Sequence, residues 1–172
     1  SSVEVTYGGT YGTLPASTRN GYTFQGWYTA KSGGTKVTAS STVSITADQV
    51  LYAHWKGNAI TVKFDNNGGY GNVPSQTYTV GEQYGSLPAG STPTTGYTFV
   101  GWYTAKSGGV QITKTTTVSP SFTTLYAQYK ARSYKVTFDS CGGSGVTAET
   151  VSYNGSYGKL TLPTSELFIF PG

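Results

Sequence analysis

Residues 21–34 read GYTFQGWYTAKSGG, and residues 96–109 read GYTFVGWYTAKSGG. Thirteen of the fourteen positions agree, and the second stretch begins 75 residues after the first. Such self-similarity at a fixed spacing is typical of a tandem repeat. The aromatic and Thr content predicts a β-strand at the start of each stretch, and the KSGG ending predicts a turn. The sequence therefore predicts a repeated β unit.

The similarity extends beyond both stretches. Residues 51–56 (LYAHWK) return as residues 125–130 (LYAQYK), and residues 62–69 (VKFDNNGG) return as residues 136–143 (VTFDSCGG). The unit is about 70 to 75 residues long, which exceeds the period of about 20 to 50 residues in solenoid repeats. We therefore expect a small domain that folds around its own core.

These boundaries predict three copies of the unit. Copy 1 comprises residues 1–57 and lacks the first strand, copy 2 comprises residues 58–130 and is complete, and copy 3 comprises residues 131–172 and stops after its leading hairpin.

The local pattern within a copy is that of strands. Residues 60–64 (ITVKF) alternate apolar and polar side chains, as a half-buried strand does. Helix candidates are limited to residues 81–86 and 153–160, where the glycines weaken a helix. We therefore predict a mainly β fold, in the small α+β class.

The aromatic strand has an unusual spacing. Phe99 and Trp102 are three positions apart, so a regular strand would place their side chains on opposite faces. A β-bulge at Gly101 would return both side chains to one face. We therefore predict that Phe99 with Trp102, and Phe24 with Trp27, form the centre of each core.

Composition excludes several classes of protein. The chain has 172 residues, of which 36% are hydrophobic, and its 11 basic residues are scattered rather than gathered as nucleic-acid binding requires. One Cys and one His are too few for a disulfide or a structural zinc site. No apolar run approaches the roughly 18 residues of a transmembrane segment. Any signal peptide is expected to be removed or to lie outside this sequence.

Candidate catalytic residues do not form a constellation. Cys141 occupies the position of Asn67 in a Gly-rich turn, and its only possible histidine partner, His54, lies in another copy. We expect His54 to be a solvent-facing strand residue, since Gln128 replaces it in copy 2. Asp65 and Asp139 each precede a turn and are expected to bind its backbone.

The Gly-rich loops at residues 68–71 and 142–145 lack the Lys-Ser/Thr ending of a phosphate-binding loop. The sequence therefore predicts no enzyme activity, no catalytic residues, no metal site and no cofactor.

Tyrosine is the residue type with the clearest binding potential. Tyr28, Tyr103 and Tyr126 are candidate ligand contacts, because an exposed tyrosine can stack on a sugar or a peptide. The competing interpretation is strand packing, for which tyrosine is also well suited.

The combination of GYTFxGWYTAKSGG, LYAxW and VxFDxxGG resembles the Listeria/Bacteroides repeat family, which includes the B-repeat of the Listeria surface protein internalin B. The resemblance implies tandem β-grasp domains, similar to ubiquitin, on secreted or wall-attached bacterial proteins, and no catalytic motif. Two positions depart from the repeat. Residues 166–172 leave the register of copy 3 open, and Gln25 stands where copy 2 has Val100, which indicates a side chain facing solvent or a partner.

Together these observations predict a non-enzymatic, extracellular repeat module at the bacterial cell surface or cell wall, acting as a stalk or spacer and as an adhesion surface. The alternative is a carbohydrate- or mucin-binding module of a secreted protein. Expected partners are a host or cell-surface protein or a glycan. Head-to-tail self-association through the incomplete terminal copies is a further expectation.

Overall fold

The computed structural model of the protein describes residues 2–90, 93–141, 144–158 and 160. Within these residues the secondary structure consists of strands. They are β1 (Tyr22–Tyr28), β2 (Lys36–Val37), β3 (Tyr52–Gly57), β4 (Ala59–Asp65), β5 (Gln76–Thr79), β6 (Tyr97–Tyr103), β7 (Gln111–Ile112), β8 (Thr124–Ala131), β9 (Ser133–Val136) and β10 (Glu149–Ser152). The fold is therefore mainly β, as the sequence predicts.

The strands form several sheets. The first has the order β2-β1-β3, the second β5-β4-β8-β6-β7, and the third β10-β9. Strand β1 pairs antiparallel with both β2 and β3. Strand β6 likewise pairs antiparallel with both β7 and β8. The β2-β1-β3 arrangement of copy 1 therefore recurs in copy 2 as β7-β6-β8.

The α part of the predicted fold class is wrong for the described residues, which contain no helix. Residues 81–86 turn instead, because Gly81 has φ +87° and leaves the helical region. The N–H of Gly85 donates to the carbonyl of Lys114 at 2.8 Å rather than to that of Gly81, as a helix would require. Asn154, with φ +57°, interrupts the second candidate at residues 153–160, and Lys159 of that segment lies outside the described residues.

The chain divides into two compact units. Unit 1 contains Ser1–Lys63, Ser75–Leu87 and Thr113–Thr124, and unit 2 contains Phe64–Pro74, Pro88–Ile112 and Leu125–Gly172. Each unit combines residues of successive copies. The expectation that one copy, such as residues 58–130, folds by itself around its own core therefore stays a prediction, and so do the boundaries of the three copies.

The predicted β-bulges are confirmed in both copies. The pairing of β1 with β3 shifts register between Phe24 and Gly26, and that of β6 with β8 shifts between Phe99 and Gly101. As a result, the Phe24 and Trp27 rings lie 5.6 Å apart, and the Phe99 and Trp102 rings lie 5.4 Å apart.

Trp102 is the better buried of the two tryptophans in these pairs, at 2% exposure, and its ring also lies 4.8 Å from that of Phe64. Val100, beside the second bulge, is 44% exposed, so the prediction that this strand position faces outward is confirmed for copy 2.

The core of unit 1 includes a pair of buried tyrosines. The Tyr78 and Tyr84 rings pack edge to face with centroids 4.7 Å apart. The Tyr78 hydroxyl donates to the side-chain oxygen of Gln76 at 2.5 Å, with the Ser86 carbonyl also within 3.1 Å. The Tyr84 hydroxyl is buried without a hydrogen-bond partner among the described residues. Burial raises the pKa of Tyr84, and burial followed by the neighbouring Tyr84 raises the pKa of Tyr78.

We predict that unit 1 loses stability as the pH rises above 10. The pKa values of Tyr78 and Tyr84 in the folded state lie above the ordinary value of 10.0. As the pH rises past 10, these tyrosines therefore lose their protons first in the unfolded state, which is stabilised relative to the folded state. The substitution Tyr84→Phe removes the buried hydroxyl, so we expect it to raise the free energy of unfolding by about 1 kcal/mol. We also expect the variant to keep its stability to a higher pH than the parent protein does. Urea denaturation between pH 8 and pH 11 measures both effects.

The matched control is Tyr7→Phe, since Tyr7 is 71% exposed and should change neither quantity. Equal alkaline sensitivity of the Tyr84→Phe variant and the parent protein would contradict the prediction.

Candidate functional site

The structure brings two of the three predicted tyrosine contacts together. Tyr103 and Tyr126 are direct cross-strand partners on β6 and β8. Tyr28, on β1, has Tyr52 of β3 as its corresponding partner. All four side chains are half-buried. Because cross-strand partners lie side by side on one face, copies 1 and 2 each carry a tyrosine pair on their sheets.

Lysines of the two KSGG turns lie near these tyrosine pairs. The ammonium of Lys31 lies 5.9 Å from the ring centre of Tyr52, and that of Lys106 lies 5.9 Å from the ring centre of Tyr126. This distance is within reach of a weak cation–π attraction. Neither the lysines nor Tyr52 was predicted from the sequence, although a lysine three residues after the strand tyrosine recurs in both copies.

His54 does not face solvent freely, so the expectation from the sequence is wrong. It is half-buried, its ring stacks on Tyr28 with centroids 3.8 Å apart, and its Nε2 lies 2.8 Å from the carbonyl oxygen of Ala30. Since a carbonyl only accepts, Nε2 carries the hydrogen.

Gln128 has the same role in copy 2, where its Nε2 donates to the carbonyls of Ala105 at 2.9 Å and Gly108 at 2.7 Å. Both residues therefore fasten the KSGG turn to the adjacent strand, which explains why His and Gln replace each other.

Asp65 and Asp139 bind turn backbone, as the sequence predicts. The Asp65 carboxylate accepts the N–H of Asn67 at 2.8 Å, and the Asp139 carboxylate accepts the N–H of Cys141 at 2.9 Å. Asn67 and Cys141 have φ values of +46° and +48°, so both adopt the left-handed conformation at corresponding positions. The Cys141 thiol is exposed and is not part of a disulfide. No cluster of three or more His, Cys, Asp or Glu side chains that could hold a metal ion occurs in the part of the chain that the structure describes.

The loop at Asn67 helps to form a polar cleft within unit 2, which we call the unit 2 cleft. The Asn67 Nδ2 donates to the carbonyls of Lys106 at 2.7 Å and Ala127 at 2.9 Å, so this loop is fastened to the KSGG turn. The cleft has a volume of about 430 Å³. Its lining consists of Asn67, Gly68, Thr94, Tyr97, Lys106, Ser107, Gln128 and Tyr129. An open, mostly polar cleft of this kind suits a ligand with several hydroxyl groups better than an apolar molecule.

A second recurring feature is the junction between successive copies. The junction between copies 1 and 2 lies in unit 1. Asn58 alone separates β3 from β4. Its N–H donates to the Gly21 carbonyl at 2.9 Å, and its carbonyl accepts the N–H of Val80 at 3.0 Å. Its side-chain oxygen accepts the hydroxyl of Thr23 at 2.6 Å.

The junction between copies 2 and 3, in unit 2, repeats this pattern. Arg132 alone separates β8 from β9, its N–H donates to the Gly96 carbonyl at 2.8 Å, and its carbonyl accepts the N–H of Tyr153 at 2.8 Å. Its Nε donates to the Thr98 hydroxyl at 3.3 Å. Gly21 and Gly96 are the first residues of the two GYTF motifs, and the carbonyl of each accepts the N–H of the linking residue. The sequence did not predict this shared role.

A repeated all-strand unit joined through single-residue junctions defines a tandem-repeat module. Residues 1–54, 61–128 and 134–172 match the Listeria-Bacteroides repeat domain, and the chain belongs to this family, with three tandem copies. The described residues include no helix with the length and hydropathy that a membrane span requires.

Several curated proteins are similar to the chain, among them the following three. Internalin H of Listeria monocytogenes is 42% identical over 118 residues, which is 66% of this chain and 20% of that protein. A protein of Evansella cellulosilytica named as a Gly-rich membrane protein is 33% identical over 175 residues, covering 100% of this chain and 19% of the relative. Another protein of that organism, named as a membrane protein, is 32% identical over 157 residues, 90% of this chain and 23% of the relative.

The chain thus spans about a fifth of the length of these relatives. No solved structure matches it.

Proposed function

We propose that the chain is a non-enzymatic spacer module of a bacterial cell-surface protein, located outside the cell at the surface or in the wall. Membership of the Listeria-Bacteroides repeat family supports this proposal, as do relatives named as an internalin and as membrane proteins. The region matched in each relative is about a fifth of its length, which fits a module that carries or separates other parts of a larger protein.

The observation that carries the proposal is the repeated junction. A flexible linker between domains leaves its backbone groups to water. At Asn58 and at Arg132, by contrast, both the N–H and the carbonyl of the single linking residue are hydrogen-bonded within the protein. The side chain of each linking residue also binds a threonine of the preceding copy, Thr23 or Thr98. The backbone at each junction is therefore held within its own unit, and a linking residue that is fixed in this way suits a spacer better than a flexible linker does.

Amide hydrogen exchange tests this proposal on the intact chain. The amides of Asn58, Val80, Arg132 and Tyr153 are expected to exchange on the order of a hundredfold more slowly than the amide of Gly33, in an exposed turn. Exchange at the rate of Gly33 would show flexible junctions and would contradict a spacer role. Antibody labelling of intact cells that make the full-length protein tests its location, and labelling only after lysis would contradict a surface position.

The unit 2 cleft favours a second candidate function, carbohydrate binding. It combines two tyrosines with amide, hydroxyl and ammonium groups, which are the side chains that sugar hydroxyls and ring faces contact. Adhesion through such a site is compatible with a spacer role, since repetition multiplies weak contacts into avidity.

A further inference from the structure

We propose that the unit 2 cleft binds an acidic sugar, a uronic or a sialic acid residue of a glycan. This inference rests on the second candidate function and names the ligand class of its site. It does not depend on the spacer role.

Two side-chain amides have a fixed orientation in the cleft. The NH₂ group of Asn67 is occupied by the carbonyls of Lys106 and Ala127, and that of Gln128 by the carbonyls of Ala105 and Gly108. Carbonyl partners can only accept, so neither amide can be flipped without losing two hydrogen bonds. The Asn67 Oδ1 and the Gln128 Oε1 are therefore held in place as acceptors. Acceptors of this kind select ligand groups that donate, and sugar hydroxyls do so.

The lining of the cleft has a positive charge. Among the described residues that line it, Lys106 is the one that is charged, and none carries a carboxylate. The carboxylate nearest in sequence, Asp65, accepts the backbone N–H of Asn67. The ammonium of Lys106 therefore favours a ligand that carries a negative charge. The whole chain, with a net charge of +4, does not oppose an anion.

Two tyrosines give the cleft rigid aromatic surface. Tyr97 and Tyr129 line it, and both are held by other contacts. The Tyr129 hydroxyl donates to the Asn66 carbonyl at 2.7 Å, and the Tyr97 ring packs edge to face on Tyr153 at 5.6 Å. Rigid tyrosines contribute contact area at a small entropic cost. A volume of about 430 Å³ is that of a small-ligand site, with room for one or two sugar rings.

Copy 1 provides an internal comparison. Lys31 occupies the position of Lys106 and lies over Tyr52 at the same 5.9 Å, and Tyr22 corresponds to Tyr97. However, residues 1–57 contain no match to the segment that supplies Asn67 and Gly68 to the cleft in copy 2. An acidic sugar is therefore expected to bind copy 2 in preference to copy 1.

The test is a titration of the intact, ¹⁵N-labelled chain with two acidic probes, sialyllactose and trigalacturonic acid, and with neutral lactose. We expect saturable shifts of the Asn67 and Gln128 side-chain amide signals, with a Kd of roughly 1 mM for an acidic probe and much weaker binding of lactose. Response to sialyllactose alone identifies sialylated glycans as the source, and response to trigalacturonic acid alone identifies uronate polymers. A response to both leaves the shared carboxylate as the determinant. All three support the proposal.

Two variants complete the test. The substitution Lys106→Gln is expected to weaken binding of the acidic probe about tenfold, because it removes a charge-assisted contact. The matched variant Lys31→Gln is expected to leave binding unchanged. Unperturbed backbone spectra of both variants show that each still folds.

The proposal is overturned if neither acidic probe shifts these signals, if lactose binds as well as the acidic probes, or if Lys106→Gln and Lys31→Gln act alike. Each of these results leaves the exchange rates at the junctions, and with them the spacer proposal, unaffected.

Discussion

Replacing Trp102 with alanine is expected to lower the free energy of unfolding by about 3–5 kcal/mol, because Trp102 is almost fully buried. Its ring contacts both Phe64 and Phe99, and its indole N–H donates to the Pro88 carbonyl at 3.0 Å. Truncation to alanine leaves a large cavity and a carbonyl without its donor. Urea denaturation measures the loss of free energy of unfolding, and amide exchange of the β6 and β8 residues shows whether the loss occurs in these strands.

The corresponding tryptophan of copy 1 serves as the control. Trp27 makes the same kind of bond, to the Pro15 carbonyl at 2.8 Å, and packs on Phe24, but it is only half-buried. We therefore expect Trp27→Ala to have a clearly smaller effect, since less apolar surface is lost. An effect as large as that of Trp102→Ala would mean that exposure does not distinguish the two sites and that the core assignment is wrong.

The substitution Gly57→Ala is expected to destabilise the first junction by about 3 kcal/mol. A Cβ at this position would lie 1.9 Å from the carbonyl oxygen of Val80, so the backbone itself has to move. That movement strains the hydrogen bond from the Val80 N–H to the Asn58 carbonyl. The expected signature is faster exchange of the Asn58 and Val80 amides together with a lower midpoint of urea unfolding.

The corresponding position before the second junction already holds an alanine, Ala131. The reverse substitution Ala131→Gly removes no steric obstacle, so it is expected to cost only the backbone entropy of glycine, about 0.5–1 kcal/mol. Unchanged exchange at the first junction in Gly57→Ala would show that Val80 does not approach Gly57 closely.

Features that depend on neighbours in sequence could be predicted. The three-residue spacing of Phe99 and Trp102 allows one shared face only through a bulge, and Gly101 is the residue between them that accepts one. Likewise, an Asp two residues before a left-handed Asn or Cys binds that residue's N–H, a contact that local geometry alone determines. The repeat revealed each of these features twice.

Features that depend on distant residues could not be predicted in the same way. The junction joins Asn58 to Gly21 and Val80, which lie far apart in sequence, and it uses backbone groups that nearly every residue type possesses. The unit 2 cleft requires Asn67 to reach the carbonyl of Lys106, 39 residues away. The sequence singled out Tyr28, Tyr103 and Tyr126 by their residue type, but none of them lines this cleft, and their role as ligand contacts stays a prediction. The amides of Asn67 and Gln128 that hold the cleft were not predicted.

The role of His54 shows how a substitution between copies can mislead. Its replacement by Gln128 indicated a position without a requirement, yet both side chains present a nitrogen donor to a turn carbonyl. Comparison by donor chemistry rather than by residue name would have identified the shared role.

The single residue between β3 and β4 has a consequence for how such genes vary. Side chains alternate along a strand, so one amino acid added or lost beside Asn58 would turn the buried Val62 and Phe64 outward and their exposed neighbours inward. We therefore expect duplication or loss of DNA among the repeats to preserve the fold when it adds or removes whole repeats, and to disrupt it when it shifts the strand by one position.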